Sequence, residues 1–337
     1  NKSGSDTCAV TKVTDLEQWQ IDSSTGTTGA IKADRITACE WNFNVGKGAG
    51  LFEKLRAMPV KLGDVADIFV GLQTSADKVF TLDPTDEVEV GLSKPLLLTG
   101  DLVSYAALKP STRILFPYEI LEGHAELIPA ETLKTRYPKG WQHLISHQDE
   151  LRNRERGKWR HERWYAFGRS QNLTQMDETK LIIQVTAQKP TVLMDENSLY
   201  ITGGGSGPFY GIRPNGGCVD IRYLLGLLNS KLFGWVVRAQ STNLRGGYVK
   251  FSKQYIERAP IRVIDVNNAD DKKCHQQMTQ YVETMLALHK RLAAARTPDE
   301  RSQLEQQIAA TDRLIDQLVY RLYGLTDEEI RIVEQQA

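Results

Sequence analysis

No run of apolar residues in this 337-residue chain is long enough to cross a bilayer, which argues against a helical membrane protein. Cysteine is scarce. Cys8, Cys39, Cys218 and Cys274 lie far apart, with no Cys-x-x-Cys pair and no neighbouring histidine cluster. That spacing speaks against a structural zinc site and for four reduced thiols in a cytoplasmic protein. An excess of one charge is missing too. The 42 Lys and Arg balance 42 Asp and Glu, so the chain is not a uniformly basic nucleic-acid binder. Asn1-Lys2-Ser3-Gly4-Ser5 has no apolar segment behind it and no initiator methionine. No signal peptide is expected, and the sequence reads as a fragment or trimmed form of a longer protein.

The common catalytic signatures are also wanting. There is no Gly-x-Ser-x-Gly elbow, no His-Glu-x-x-His and no GxGxxG after a strand. Gly46-Lys47-Gly48-Ala49-Gly50 lacks the Gly-Lys-Ser/Thr ending of a phosphate loop and reads as a turn before a helix at Leu51 to Met58. Gly203-Gly204-Gly205-Ser206-Gly207 leads into Pro208 and two aromatics rather than a helix, as a flexible loop or hairpin does. Glu178 and Lys180 stand at the start of an apolar strand, where such a pair serves metal-dependent nucleases. The neighbouring Asp177 would point to the opposite face of that strand, so chance explains the pair better. No histidine stands in a metal-ligand spacing, and no catalytic or metal residue is assigned.

What is present is an ordinary globular composition, 41% hydrophobic and 25% charged, in a chain long enough for two units or one large domain. The charge is unevenly spread. Lys134 to Arg169 holds ten Lys and Arg against four acids, and Asn229 to Val263 holds seven against one. From Thr297 onward there are nine acids and four bases. A neutral total thus conceals a basic face and an acidic helical tail.

The patterning predicts an α+β fold: an irregular, mostly β domain with inserted helices, followed by an antiparallel helical hairpin. Ser23 to Gly29 reads as a loop, flanked by Trp19 and Trp41 as anchors. Strands are expected at Val65 to Val70, Lys78 to Leu82, Arg113 to Tyr118, Leu181 to Val185, Thr191 to Met194 and Leu199 to Thr202. Helices are expected from Trp141 to Arg156 and from Ile221 to Arg238. Met278, Tyr281, Met285, Leu288 and Leu292 recur at three and four residues, as do Leu304, Ile308, Thr311, Ile315, Leu318 and Leu322. Thr297-Pro298-Asp299-Glu300 between them reads as N-cap, first-turn proline and capping box. Gly324 ends the second helix, and Thr326-Asp327-Glu328-Glu329 caps a short third one. The expected division is an N-terminal extension over 1–58, a recognition domain over 59–265 and the hairpin with its capping helix over 266–337.

Two basic, aromatic-bearing segments and one polar turn carry the functional signal. Trp164-Tyr165-Ala166-Phe167-Gly168-Arg169-Ser170-Gln171-Asn172 joins aromatics, a cation and amides beside a basic helix end with Arg152, Arg154, Arg156, Lys158 and Arg160. Arg245-Gly246-Gly247-Tyr248-Val249-Lys250-Phe251-Ser252-Lys253 sets cations and an aromatic around two glycines that admit close backbone approach. Gln73, Thr74, Ser75 and Lys78 form a polar turn tip, for which turn chemistry alone accounts in large part. Arg and Lys suit phosphates, Arg suits guanine edges, and Gln or Asn suit adenine edges. Arg152, Arg154, Lys250 and Lys253 are therefore phosphate candidates. Gln73, Arg169, Gln171, Asn172 and Arg245 are base-edge candidates. Thr74 and Lys78 complete the turn, and Tyr248 is placed to support a displaced base or a sugar.

These segments fall into an ordered series. Leu62 to Ser75 with Lys78-Val79-Phe80 comes first, then Lys94-Pro95-Leu96-Leu97, Gly100-Asp101-Leu102 and Tyr105. Phe116-Pro117-Tyr118, Tyr137-Pro138-Lys139-Gly140-Trp141 and the Trp164 stretch follow. Leu227-Leu228-Asn229-Ser230-Lys231, the Arg245 loop and Tyr255 to Ile261 close it. The series, over about residues 60 to 265, resembles the TaqI-like C-terminal specificity domain of bacterial adenine-N6 DNA methyltransferases and fused type II restriction–modification enzymes. The resemblance implies duplex DNA as partner and a covalently linked methyltransferase domain upstream. That domain would bring the S-adenosylmethionine loop and the Asn/Asp-Pro-Pro-Tyr/Phe tetrapeptide, neither of which this sequence contains. Its parent would extrude an adenine for methylation, while this chain, not itself an enzyme, would grip and select the site. A nucleoid-associated, cytoplasmic location follows. The hairpin would contact the catalytic domain or another subunit. Two other readings stand beside it: an interaction subunit resembling a type I restriction specificity subunit or a phage-defence protein, and a nuclease built on Glu178 and Lys180.

Overall fold

A computed structural model describes residues 6–13, 15–33, 45, 46, 48–106, 108, 110–203, 207–217, 219–241 and 244–336. Trp41, Cys39, Cys218 and the Gly204-Gly205-Ser206 centre of the glycine-rich loop lie outside them.

A four-stranded antiparallel sheet organises the molecule. Its strands are β1 (Ala66–Val70), β2 (Lys180–Gln184), β4 (Val192–Asp195) and β5 (Phe209–Pro214), in the order β4-β2-β5-β1. Both faces of this sheet are buried. Ile68, Leu181, Ile183, Val192, Met194 and Ile212 project into one core. Phe69, Ile182, Leu193 and Phe209 project into a second. A sheet walled on both sides needs apolar residues at successive positions, and Leu181-Ile182-Ile183 supplies them. A two-residue ladder, β3 (Thr186–Ala187) with β6 (Val249–Lys250), extends from the end of β2.

The second core lies under the small strands Thr81–Leu82, Ser93–Pro95 and Arg113–Leu115, the helix Pro138–Ser146 and α1 (Gln148–Gly157). The first lies under α2 (Ile221–Asn229), α3 (Lys231–Gln240), the helix Ala49–Arg56 and the C-terminal helices. Those are α4 (Ala269–Ala294), α5 (Pro298–Leu322) and α6 (Asp327–Gln336). Met278, Val282, Met285, Ile315 and Leu318 share this core with Leu181 and Leu224, so the hairpin is packed on the sheet domain across residue 265.

The α+β architecture and the hairpin agree with the sequence patterning. Thr297 Oγ1 accepts the Glu300 N–H at 3.2 Å, as an N-cap does. Gly324 adopts φ +58°, and Thr326 and Glu329 exchange the reciprocal bonds of a capping box at 2.8 and 3.3 Å.

Five expected elements differ, and the strand β5 was not among those expected. The strand from Arg113 to Tyr118 is cut at Phe116-Pro117, because proline has no N–H for a ladder; Tyr118–Leu121 then pairs separately with His124–Leu127. Lys78 lies in a helical turn, Asp77–Phe80, before the two-residue strand. The segment Leu199 to Thr202 makes only isolated bridges, Tyr200 to Leu96 and Thr202 to Leu72. The two long helices are each broken. Ser230 ends α2 and its hydroxyl caps α3 through the Phe233 N–H at 3.2 Å. The Trp141 helix stops at Ser146, restarts after His147, and leaves helical geometry at Arg154, Glu155 and Arg156.

Candidate nucleic-acid interface

The site is built on β1, the edge strand, and on the chain that leaves it. Two β1 carbonyls are met by side chains rather than by another strand. Lys253 Nζ donates to Ile68 O at 2.9 Å, and Asn172 Nδ2 donates to Val70 O at 3.1 Å. Beyond β1 the chain is pinned by Leu72, whose N–H bonds Ile201 O at 2.7 Å and whose carbonyl takes the Gly203 N–H at 2.8 Å. A Cβ on Gly71 would stand 2.3 Å from Ile201 O, so only glycine permits this approach. Gln73 then pairs with Arg169: the Arg169 N–H reaches Gln73 O, and the Gly168 N–H reaches Thr74 O, both at 3.0 Å. The Gln73–Lys78 turn, Glu150 and Gly203 bound a recess of about 420 Å³. A groove of about 290 Å³ along β1 is lined by Asp67, Phe69, Asn172, Arg213 and Lys253 among others.

Arg154 holds this corner from beneath. It is 6% exposed. Its Nε donates to Leu151 O at 2.9 Å, Nη1 to Thr74 O at 2.6 Å, and Nη2 to Trp164 O and Ala166 O at 2.7 and 2.8 Å. The guanidinium also lies 4.4 Å from the Trp159 ring centre. Burial pulls its pKa down to about 10, so it remains a cation at neutral pH. A buried cation spent on four carbonyls cannot reach a phosphate, which removes Arg154 from the phosphate candidates. Thr74 leaves the DNA-contact set as well. It is fully buried, its hydroxyl donates to Asp77, and its oxygen accepts the Ala76 N–H at 3.0 Å.

Arg152, Lys78, Arg169 and Gln171 are exposed around this corner. The Arg152 guanidinium lies 5.9 Å from the Trp164 ring centre, while Trp164, Tyr165 and Phe167 are buried. The aromatics of that stretch are thus core residues that orient their neighbours. Four non-glycine residues here take left-handed backbone: Ser75, Glu155, Arg156 and Asn172, at φ +57°, +49°, +63° and +60°. Glu155 escaped the sequence reading altogether. Its Oε1 accepts the Ser75 hydroxyl at 3.1 Å and Arg169 Nη1 at 3.0 Å, and the Ser75 bond heads the causes that lower its pKa. Nothing in the sequence singles it out from the other acids near the helix end.

The Arg245 loop belongs to the same end of the sheet. Tyr210 of β5 pairs with Val70, the last residue of β1, and with Ile183 near the end of β2. The Gln73 turn leaving β1 and the β3·β6 ladder leaving β2 therefore emerge side by side, one strand apart. Arg238 fixes the loop at its base, with Nη1 on Gly247 O at 3.2 Å and Nη2 on Gln188 O at 2.7 Å. Gln188 Nε2 holds Gly246 O at 3.1 Å. Both glycines take positive φ, +79° and +78°. Arg245, Tyr248 and Lys250 are left exposed.

A Cβ on Gly48 would meet the Trp235 ring at 2.9 Å, so the helix start at Ala49 is packed shut. Lys180 does not serve the nuclease reading. It is buried at 0% exposure, ion-paired to Asp195 at 2.5 Å, whereas Glu178 bonds outward to Arg213 at 3.2 Å. No group of three or more His, Cys, Asp and Glu able to hold a metal occurs among the described residues. No helix there is long and apolar enough to cross a membrane.

Residues 119–261 match the family of the TaqI-like C-terminal specificity domain. The chain is 24% identical to RM.Eco57I of Escherichia coli, a type II restriction enzyme and methyltransferase, over 99% of this chain and 36% of that protein. It is 21% identical to the type II methyltransferase M.BstVI of Geobacillus stearothermophilus, over 79% of this chain and 40% of that protein. It is 26% identical to the type II methyltransferase M.MjaIV of Methanocaldococcus jannaschii, over 62% of this chain and 70% of that protein. The chain thus spans well under half the length of the first two.

Proposed function

From a TaqI-like specificity domain at residues 119–261, we propose that this chain is the target-recognition part of a type II restriction–modification DNA methyltransferase acting on adenine N6. It binds duplex DNA and positions the site. Methyl transfer from S-adenosylmethionine belongs to the remainder of the parent protein, which has a cytoplasmic, nucleoid-associated location. The observation that carries this reading is the gathering of exposed cations and amides at one end of the central sheet. Lys78, Arg152, Arg169 and Gln171 stand on one side beside the half-buried Asn172, and Arg245, Tyr248 and Lys250 on the other, with Lys253 along the β1 edge. Most lie inside the matched segment. Cations set phosphate register, and the amides and guanidinium groups between them face base edges.

Titration of the 337-residue chain with duplex DNA at several salt concentrations tests it. Binding should weaken steeply as salt rises, with a logarithmic slope of about −0.9 per phosphate contacted. Arg169→Glu and Arg245→Glu should each lower affinity on the order of tenfold at moderate salt. Unchanged affinity for both variants removes this end of the sheet from the interface. Absence of salt-dependent binding favours an interaction subunit instead.

A further inference from the structure

Arg169 has its hydrogen-bonding capacity divided in an instructive way. Nη1 donates to Glu155 Oε1 at 3.0 Å and to Gly168 O at 2.7 Å, which uses both of its hydrogens. The Nε–H and Nη2–H edge carries no hydrogen bond among the described residues. That edge presents two parallel donors in one plane, the geometry that matches O6 and N7 of guanine in the major groove. A phosphate also accepts such a fork. The partner on the other edge decides between them. A carboxylate against the guanidinium cancels much of its charge, which weakens a purely electrostatic phosphate contact. The same carboxylate fixes the plane of the fork, and base readout depends on that plane.

The carboxylate is held there at a backbone cost. Glu155 and Arg156 take φ +49° and +63°, and Ser75, whose hydroxyl donates to Glu155 at 3.1 Å, takes φ +57°. Left-handed non-glycine residues persist where their surroundings over-determine them, and they cluster at ligand sites. Gly168 packs directly on Ser75: a Cβ there would stand 1.9 Å from Ser75 Oγ. The buried Arg154 ties Thr74, next to Ser75, to Trp164 and Ala166. Both sides of the Arg169–Glu155 pair are thereby fixed to one another.

We propose that Arg169 reads a guanine through its Nε/Nη2 edge and that Glu155 is the positioning residue that sets the guanidinium plane. The proposal rests on the DNA-recognition reading above. Selection from a randomised duplex library by the full 337-residue chain, followed by sequencing of the bound pool, tests it. The wild type should enrich a motif with at least one required guanine. Arg169→Gln should reduce the preference for guanine at one position on the order of tenfold or more and leave the other positions intact. Arg169→Lys, which keeps the charge and loses the planar fork, should do the same. Glu155→Gln should blunt discrimination at that same position while total affinity at low salt holds or rises, a combination that mere misfolding does not produce. Glu155→Asp provides a conservative partner, and circular dichroism establishes that each variant is folded. A uniform loss across all sequences with an unchanged motif identifies Arg169 as a phosphate contact and overturns the proposal. So does loss at a position other than guanine. A wild type that binds no duplex, or enriches nothing, overturns the recognition reading itself.

Discussion

Residues of one chemical type have opposite fates in this molecule, and burial decides which. Arg152 and Arg154 are two positions apart, yet one faces solvent and the other is enclosed by four carbonyls. The sequence shows both as members of a basic run. Only the departure from helical geometry at Arg154 separates them, and no residue pattern announces it. Lys180 is a parallel case. Beside Glu178 it resembles a catalytic pair, but its ammonium is buried against Asp195 and the carbonyl of Met176 at 2.5 Å. Burial lowers its pKa and the Asp195 carboxylate opposes that shift, so the pair is stable only as a unit. Asp195→Asn leaves a cation buried without its counter-charge and also weakens the acceptor for the Leu199 N–H, bonded at 2.8 Å. It should cost about 3–5 kcal/mol in urea unfolding. The double variant Lys180→Met with Asp195→Leu should cost distinctly less. Equal losses for single and double variants would show that the ion pair is not the source of the cost.

At the scale of elements, legibility follows the number of buried faces. The hairpin helices have one buried stripe each, so their period is plain in the sequence, and their caps stand where Thr297, Gly324 and Thr326 place them. The central strands are buried on both faces and do not alternate: β1, β2 and β4 were legible as apolar runs, but β5, with Gly211, Arg213 and Pro214 in it, was not, and neither were the strand order and the two cores. The breaks at His147 and Ser230 were missed because each interrupts an apolar period by a single residue. Packing between elements explains one otherwise costly choice, the glycine inside α2. A Cβ on Gly226 would lie 2.4 Å from Met278 Sδ and 3.1 Å from Val282 Cγ2, both on α4. Gly226→Val should therefore destabilise by about 1–3 kcal/mol through overpacking, despite the better helix propensity of valine. An added Cβ on Gly50, in the helix Ala49–Arg56, meets no atom of the described residues within 4 Å, and Gly50→Ala should stabilise by about 0.5 kcal/mol. Thermal unfolding of the two variants should give shifts of opposite sign. A stabilised Gly226→Val would mean that α2 and α4 are not in close contact.

For the molecule as a whole, the question is how the acidic hairpin stays attached to a domain with a basic end. The attachment includes a buried acid. Asp316 of α5 accepts the Lys231 N–H at the start of α3 at 2.9 Å, and Lys231 Nζ lies 3.7 Å away. Burial raises the Asp316 pKa to about 6; Asp312 reinforces the rise and the Lys231 contacts oppose it. Glu334 and the Tyr320 hydroxyl, bonded to each other at 2.8 Å, complete the polar surroundings. The folded state then binds a proton that the unfolded chain, with an ordinary Asp pKa, has already released. Between about pH 4 and 6 the Asp316 contribution falls as pH rises, and above 6 the full cost persists, about 3 kcal/mol at most. Asp316→Asn keeps an oxygen for the Lys231 N–H and removes the charge. Its unfolding free energy should exceed that of the wild type by about 1–3 kcal/mol at pH 7.5, and the difference should shrink toward zero near pH 4. A difference independent of pH would mean that Asp316 is ionised in both states. If the difference follows the expected curve, the hairpin is fastened less tightly at neutral pH than its packing allows.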